Sequence, residues 1–187
     1  MADEIIQLTA DDFEEAMDFL NLAFGEYRPM DFAKMFPSIY RPTDRHMSNN
    51  YAIRKGGRIC AIVGLFPITW HVGESVLRVA GIGGVSTHPK LRGSGMMKAL
   101  MGHCVGLIKT QGYPLSWLGG QRQRYLYFGY ERCGNTNVFT VNKTNLKHCF
   151  DSDPDIRFEA IGPEDRGRIA GARALHDAQP MYCQRSL

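Results

Sequence analysis

The residues with the clearest chemical meaning lie between Thr87 and Met97. The run Thr87-His88-Pro89-Lys90-Leu91-Arg92-Gly93-Ser94-Gly95 follows an apolar, glycine-bearing stretch, SVLRVAGIGGVST. It precedes a segment in which Met97, Leu100, Met101, Cys104, Leu107 and Ile108 recur at spacings of three and four. Those patterns predict a strand, a glycine loop and the start of a helix. The first-turn N–H groups of a helix have no intrahelical partner, and the helix dipole favours negative charge beside them. Gly93 and Gly95 take away side chains that would hold a pyrophosphate off those amides, while Lys90 and Arg92 add positive charge. A Walker loop, G-x-x-x-x-G-K-S/T, is absent. A Rossmann loop needs a third glycine where Lys98 stands.

The elements that must position this loop are legible from the rest of the chain. Residues 5–8 predict a short strand. Thr9 with Asp12 resembles a capping box, and Phe13, Ala16, Met17, Leu20 and Phe24 predict one apolar face of a helix over 10–24, stopped by Gly25. Residues 26–48 read as loop with a short helix at 31–36. YAIRK, a Gly56-Gly57 turn, a long strand bent near Pro67, a Gly73-Glu74 turn and the strand carrying Gly81, Gly83 and Gly84 follow. Glycines inside a strand point to a bulge or to a ligand close against the backbone. After the helix come a buried strand, PLSWLGG, a short helix ended by Gly129, and one or two closing strands over 131–142. Strands broken by helices in this order predict an α/β chain with a mixed, mostly antiparallel sheet.

Length and composition bound the rest. At 187 residues the chain holds one domain or one and part of a second. The polar stretch 144–155 reads as a linker between a domain at 1–143 and a strand-helix segment at 156–187. LTADD at 8–12 and IGPED at 161–165 occupy matching places, so that segment reads as a weak internal repeat or the opening of a second copy of the fold, the alternative being a C-terminal strand and helix docked on the first domain. The longest uncharged apolar stretch, Ile59 to Trp70, is too short to span a bilayer, and the acidic N-terminus is no signal peptide. The five cysteines form no C-x-x-C pair, which predicts no disulfide framework, no metal site and a reducing, cytoplasmic location. Net charge is only +3, but residues 1–31 carry nine acids against one base and residues 85–132 seven bases against one acid. A local basic excess suits a phosphate-bearing ligand, and it is too local for nucleic acid, even with the Arg122-Gln-Arg124-Tyr125 cluster.

Two motifs then converge. VSTHPKLRGSG resembles the acetyl-CoA signature of the GNAT superfamily of N-acetyltransferases, Gln/Arg-x-x-Gly-x-Gly/Ala, with Lys90 where Gln or Arg is usual. The family's Tyr-x-x-x-Gly-Phe/Tyr motif appears as Tyr125 to Tyr130, and the resemblance covers about residues 3–142. It implies the acyl-CoA N-acyltransferase fold, acetyl-CoA as cosubstrate and a small-molecule or peptide amine as acceptor; neither nucleic acid nor a membrane is expected as partner, and a homo-oligomer is compatible. It also implies that Val85, Ser86 and Thr87 pair with the pantetheine arm. Arg92, Gly93, Ser94, Gly95, Met96 and Met97 would hold the pyrophosphate, and a backbone N–H near Val85 would face the thioester oxygen. Tyr125 would be the acid that protonates the leaving thiolate, with Tyr127 as the alternative.

The base stays open among Glu26, Glu74, His88 and water. The 156–187 segment resembles the multidomain branch typified by the enhanced-intracellular-survival acetyltransferases, which can use a terminal carboxylate as base, a part that is not assigned to Leu187. A non-catalytic acyl-CoA-binding sensor or scaffold would carry the same loop, and Tyr125 is what separates the two readings.

Overall fold

The computed structural model describes residues 4–25, 28–134, 138–149, 157 and 159–185. The chain divides into two compact units, residues 1–130 with 180–187, and residues 131–179.

The first unit is built on a six-stranded sheet of β1 (Ile5–Gln7), β2 (Asn50–Lys55), β3 (Arg58–Val72), β4 (Ser75–Thr87), β5 (Leu115–Leu118) and β6 (Met181–Cys183). The strand order is β1-β2-β3-β4-β5, with β6 added to the far end of β3. Every pairing is antiparallel except β4 with β5. Pro67 is tolerated in β3 because it falls between the last β2 partner, at Gly64, and the first β6 partner, at Trp70, where β3 has β4 alone as neighbour.

Helices cover both faces. Alternate β3 residues Ala61, Val63 and Leu65 face α4 (Met96–Thr110), which buries Met96, Leu100, Met101, Cys104 and Ile108 among them. The opposite face carries α1 (Phe13–Phe24), α2 (Phe32–Met35) and α3 (Asp44–Met47). There Ala16, Met17, Phe19 and Leu20 pack with Phe32, Tyr40, Met47, Ala52 and Ile62. The C-terminal end of α4 is tied down by Arg78, which donates to the Gln111 carbonyl at 2.7 Å and lies 4.4 Å over the Tyr113 ring. After β5 comes α5 (Arg122–Tyr125), continued by a 3₁₀ turn over Leu126–Phe128.

The second unit contains α6 (Lys143–Cys149), in the first part of the stretch read as a linker, and α7 (Arg166–Asp177). The closing strands expected over 131–142 are not formed by residues 131–134 or 138–142; residues 135–137 lie outside the described residues. A strand needs a ladder partner as well as a β-prone sequence, and Val138, Phe139 and Val141 stand 80%, 88% and 70% exposed. The strand expected near 156–160 is absent at Arg157, Glu159 and Ala160, while Ile156 and Phe158 lie outside the described residues.

The start of α1 is fixed by one ionic cluster. Asp12 accepts from the Thr9 N–H and hydroxyl and from Arg54, at 2.8, 3.0 and 2.6 Å. Glu15 accepts from the other arm of Arg54 at 2.6 Å and from the Ile59 N–H at 2.8 Å. Burial alone would raise the Asp12 pKa, but the Thr9 and Arg54 contacts outweigh it and hold the carboxyl below its ordinary value. Arg54→Ala should therefore destabilise the chain by about 1–3 kcal/mol at pH 7. A lowered folded-state pKa stabilises above the unfolded carboxylate value and loses that effect as pH falls through the folded one. The gap between wild type and variant in urea unfolding should accordingly shrink below about pH 4.

Candidate active site

β5 leaves β4 early. The parallel register runs from Val79 opposite Leu115 to Ile82 opposite Leu118, while β4 continues to Thr87. Among the described residues nothing pairs with Gly83–Thr87 on that side, so a length of strand backbone faces an open gap. On its other side the β3 register jumps from Gly64–Gly83 to Ile62–Ser86, which makes Gly84 and Val85 a bulge. Gly84 has φ +60°, a conformation that side chains disfavour. Of the three glycines that suggested a close ligand, two are cleared by the sheet itself. A Cβ on Gly81 would meet Ile68 at 2.5 Å, and one on Gly83 would meet Phe66 at 3.2 Å.

Past Thr87 the chain makes a 3₁₀ turn over Pro89–Leu91, then reaches α4 through Gly93 at φ +84° and Gly95 at φ +86°. A Cβ at either glycine would meet nothing within 4 Å, so the room above the loop is open for a ligand. The Ala99 N–H closes the first turn on the Gly95 carbonyl at 3.0 Å, which leaves the N–H groups of Met96, Met97 and Lys98 as the orphan donors of the helix. Thr87, Gly93, Ser94, Gly95, Met96, Met97 and Lys98 line a cavity of about 310 Å³ at this point. Arg92 precedes it on the loop and is exposed. Val85 and Ser86, half-buried, carry the strand into it, with the Ser86 hydroxyl donating to the Gly84 carbonyl at 3.0 Å.

The tyrosine motif is delivered to the same place. The Tyr130 N–H bonds back to the Tyr125 carbonyl at 3.3 Å and the Gly129 N–H to the Leu126 carbonyl at 2.9 Å, a helix-ending turn that explains the Tyr-x-x-x-Gly-Tyr spacing. Lys98, at the loop cavity, holds its ammonium 4.3 Å above the Tyr127 ring. Tyr127 itself is 70% exposed. Tyr125 is half-buried, packed on Gly120 and edge-on to Tyr130 at 6.4 Å. Burial raises its pKa against the lowering pull of Arg124, so its hydroxyl keeps its proton at neutral pH.

Sequence reasoning missed the pair beside it. Ser116 of β5 donates to the Ala80 carbonyl at 2.8 Å and accepts from Tyr130 at 2.6 Å, which commits the Tyr130 proton, whereas no such bond commits the hydroxyl of Tyr125 or Tyr127 among the described residues. An alternating strand with one serine was the only signal.

The base candidates do not gather here. Glu74 sits in the β3–β4 turn, about 30 Å along β4 from the bulge at 3.3 Å per residue. His88 accepts the Lys90 N–H on Nδ1 at 3.2 Å and so caps the 3₁₀ turn. It also lines a larger cavity, about 750 Å³, with Glu15, Phe19, Lys55, Ile59 and Cys60. That cavity includes neither the β4 bulge nor the start of α4, and its Glu15 is already paired with Arg54. Glu26 and Leu187 lie outside the described residues. Among the described residues no cluster of His, Cys, Asp or Glu could hold a metal ion, and no helix is long and apolar enough to cross a membrane.

A strand that parts from its neighbour at a bulge and runs into a glycine-loop helix start defines an acyltransferase architecture of the GNAT type. Residues 4–133 match the family model of the acetyltransferase (GNAT) domain, and the chain belongs to that family. Among solved structures, a probable N-acyltransferase from Enterococcus faecalis superposes with a TM-score of 0.58 at 21% identity, over 70% of this chain and 33% of its own. A GNAT family acetyltransferase from Brucella melitensis, solved in complex with acetyl-CoA, gives 0.57 at 17% identity, over 69% of this chain and 82% of its own. Eis1 from Mycobacterium abscessus gives 0.54 at 15% identity, over 68% and 31%. At these identities the likeness is one of fold. The chain spans about a third of the length of the Enterococcus and Mycobacterium proteins. No curated protein matches the sequence.

Gly93→Glu should abolish CoA binding in calorimetry by placing a carboxylate against the orphan amides, whereas Gly93→Ala, equally strained but uncharged, should keep it. Unchanged affinity in a folded Gly93→Glu protein would move the anion site elsewhere.

Proposed function

We propose that the chain is an acetyl-CoA-dependent N-acetyltransferase that moves an acetyl group to the primary amine of a small molecule or peptide by direct attack on the thioester. The observation that carries this reading is the junction of two unpartnered backbone surfaces, the free side of β4 from Gly83 to Thr87 and the first turn of α4. A pantetheine arm, an extended chain of amides, matches the first. A pyrophosphate matches the second.

Acetyl-CoA supplies an acetyl group activated as a thioester, and this chain's residues do the rest. Backbone groups of Val85 and Thr87, with Ser86 between them, pair with the arm as an added strand would. The amides of Gly93, Gly95, Met96 and Met97 take the pyrophosphate; those of Arg92 and Ser94, expected to join them, are bonded to the Pro89 and Leu91 carbonyls at 3.5 and 3.3 Å, so these two residues contribute by their side chains. A backbone N–H near Val85 faces the carbonyl oxygen, where negative charge grows as the amine attacks. Tyr125 gives its proton to the departing sulfur; a thiol near 8.5 and a phenol near 10 make that transfer accessible. The proton lost by the amine is assigned to solvent, since the His88 Nδ1 already serves as a cap and Glu74 lies at the other end of β4.

The same reading takes residues 156–187 as the opening of a second copy of the fold, as in the multidomain branch of the family. The exposed side chains of Ile161 and Leu175 support it, while β6 reaches back to β3.

The test is free-thiol release from acetyl-CoA across classes of primary amine. Tyr125→Phe should lower turnover by about 10²–10⁴-fold, with acetyl-CoA affinity and fold preserved. A wild type that binds CoA but acetylates no amine class would leave a binding domain, and an unimpaired Tyr125→Phe would remove that residue from the chemistry.

A further inference from the structure

Tyr40 belongs to the core under α1–α3 and has no part in the chemistry described so far. It lies between α2 and α3, is only 4% exposed, and is held on three sides. Its ring meets Phe32 edge-on at 5.8 Å and Phe66 edge-on at 6.1 Å, and its N–H bonds to the Phe36 carbonyl at 3.0 Å. Its hydroxyl has no hydrogen-bond partner among the described residues. That oxygen stands 2.8 Å from the place a Cβ on Gly84 would occupy. Gly84 is the left-handed residue of the β4 bulge, next to Val85. Position 84 thus excludes a side chain twice over, by its φ and by the phenol beside it.

The ring is buried, but the hydroxyl is not one of the buried side-chain atoms left without a partner, which are Asn50 Oδ1 and Trp70 Nε1 among the described residues, so its oxygen keeps contact with solvent. A phenol fixed by aromatic packing with its oxygen accessible beside the bulge can donate to an acceptor that arrives there. The group expected at the bulge is a carbonyl oxygen, which has two lone pairs and receives only one donor from the backbone.

We infer that Tyr40 is a catalytic residue of the proposed acetyl transfer, its O–H donating to the thioester carbonyl oxygen alongside the backbone N–H near Val85. The inference rests on the acetyl-transfer reading above. As the amine nitrogen bonds to the carbonyl carbon, negative charge grows on the oxygen between two donors that are already in place. The carbon–sulfur bond then breaks with its electron pair on sulfur, Tyr125 supplies the proton to that sulfur, and the amine proton goes to solvent. Tyr40 keeps its own proton throughout. Burial pushes its ionisation far above the usual phenol range, so it is a donor at every working pH and never an acid or base. This assigns different work to two tyrosines that sequence alone would not separate.

The test compares wild type with Tyr40→Phe, which keeps the ring packing and removes only the hydroxyl. Three readouts are needed: acetyl-CoA affinity by calorimetry, the carbonyl stretch of bound acetyl-CoA labelled with carbon-13 at the carbonyl, and the thermal midpoint. Turnover of whichever amine the wild type acetylates should fall by about 10²–10³-fold, the effect of losing one donor to a developing oxyanion. The carbonyl band should shift up toward its frequency in free acetyl-CoA. Affinity should be nearly unchanged, and the thermal midpoint equal to or above wild type, because the lost hydroxyl had no protein partner. A lower midpoint with parallel loss of affinity would make Tyr40 structural and overturn the inference. An identical carbonyl band and rate in a wild type that binds acetyl-CoA would overturn it alone. A wild type that binds no acetyl-CoA would overturn it together with the acetyl-transfer reading.

Discussion

Backbone N–H and C=O groups must be paired wherever they are sheltered from water, and the fold turns on a stretch, Gly83–Thr87, that has no strand partner on one side among the described residues. β4, second in length only to β3, is bonded along its length to β3, yet β5 matches it only from Val79 to Ile82. Everything around the gap keeps it open. The bulge at Gly84 and Val85 turns the strand locally, the glycine loop delivers the orphan donors of α4 beside its end, and the Ser116–Tyr130 bond locks β5 and the tyrosine turn on the far side. The two hydrophobic cores, one under α4 and one under α1–α3, clamp the sheet so that this edge cannot collapse.

Rigid packing also decides which side chains are free to act. Tyr130 is spoken for by Ser116, and Tyr127 is stacked under Lys98. His88 is used as a cap. The proposed chemistry therefore falls on Tyr125, half-buried with a raised pKa, and on Tyr40, whose ring is buried and whose hydroxyl lies beside Gly84. Residues that hold a loop in place are poor candidates for moving protons, and that distinction rests on hydrogen-bond bookkeeping that only coordinates supply.

The glycine loop, the α4 stripe, the α1 capping box and the central hairpins were legible in the sequence because each rests on local rules of period, turn chemistry or helix termini. Gly93-Ser94-Gly95 before an apolar helix needs no tertiary information to be read as an anion site. The register of β4 against β5 could not be read, since where two strands part depends on both. Nor could the roles of Gly81 and Gly83, whose missing side chains make room for Ile68 and Phe66 of the neighbouring strand. Tyr40 gave no signal, being one aromatic residue in a loop-rich stretch more than forty positions from its partner at Gly84. The strand expected from VFTV failed for the complementary reason, that β propensity is only realised against a partner edge.

Backbone amide exchange with and without saturating CoA is the most direct measurement of the central claim. Protection should rise at Val85 and Thr87 and across Gly93 to Lys98, while the amides of Lys55, Arg58 and Lys90 around the larger cavity change little. Protection confined to that second cavity, or none along the free side of β4, would contradict the assignment of the unpaired backbone as the docking surface.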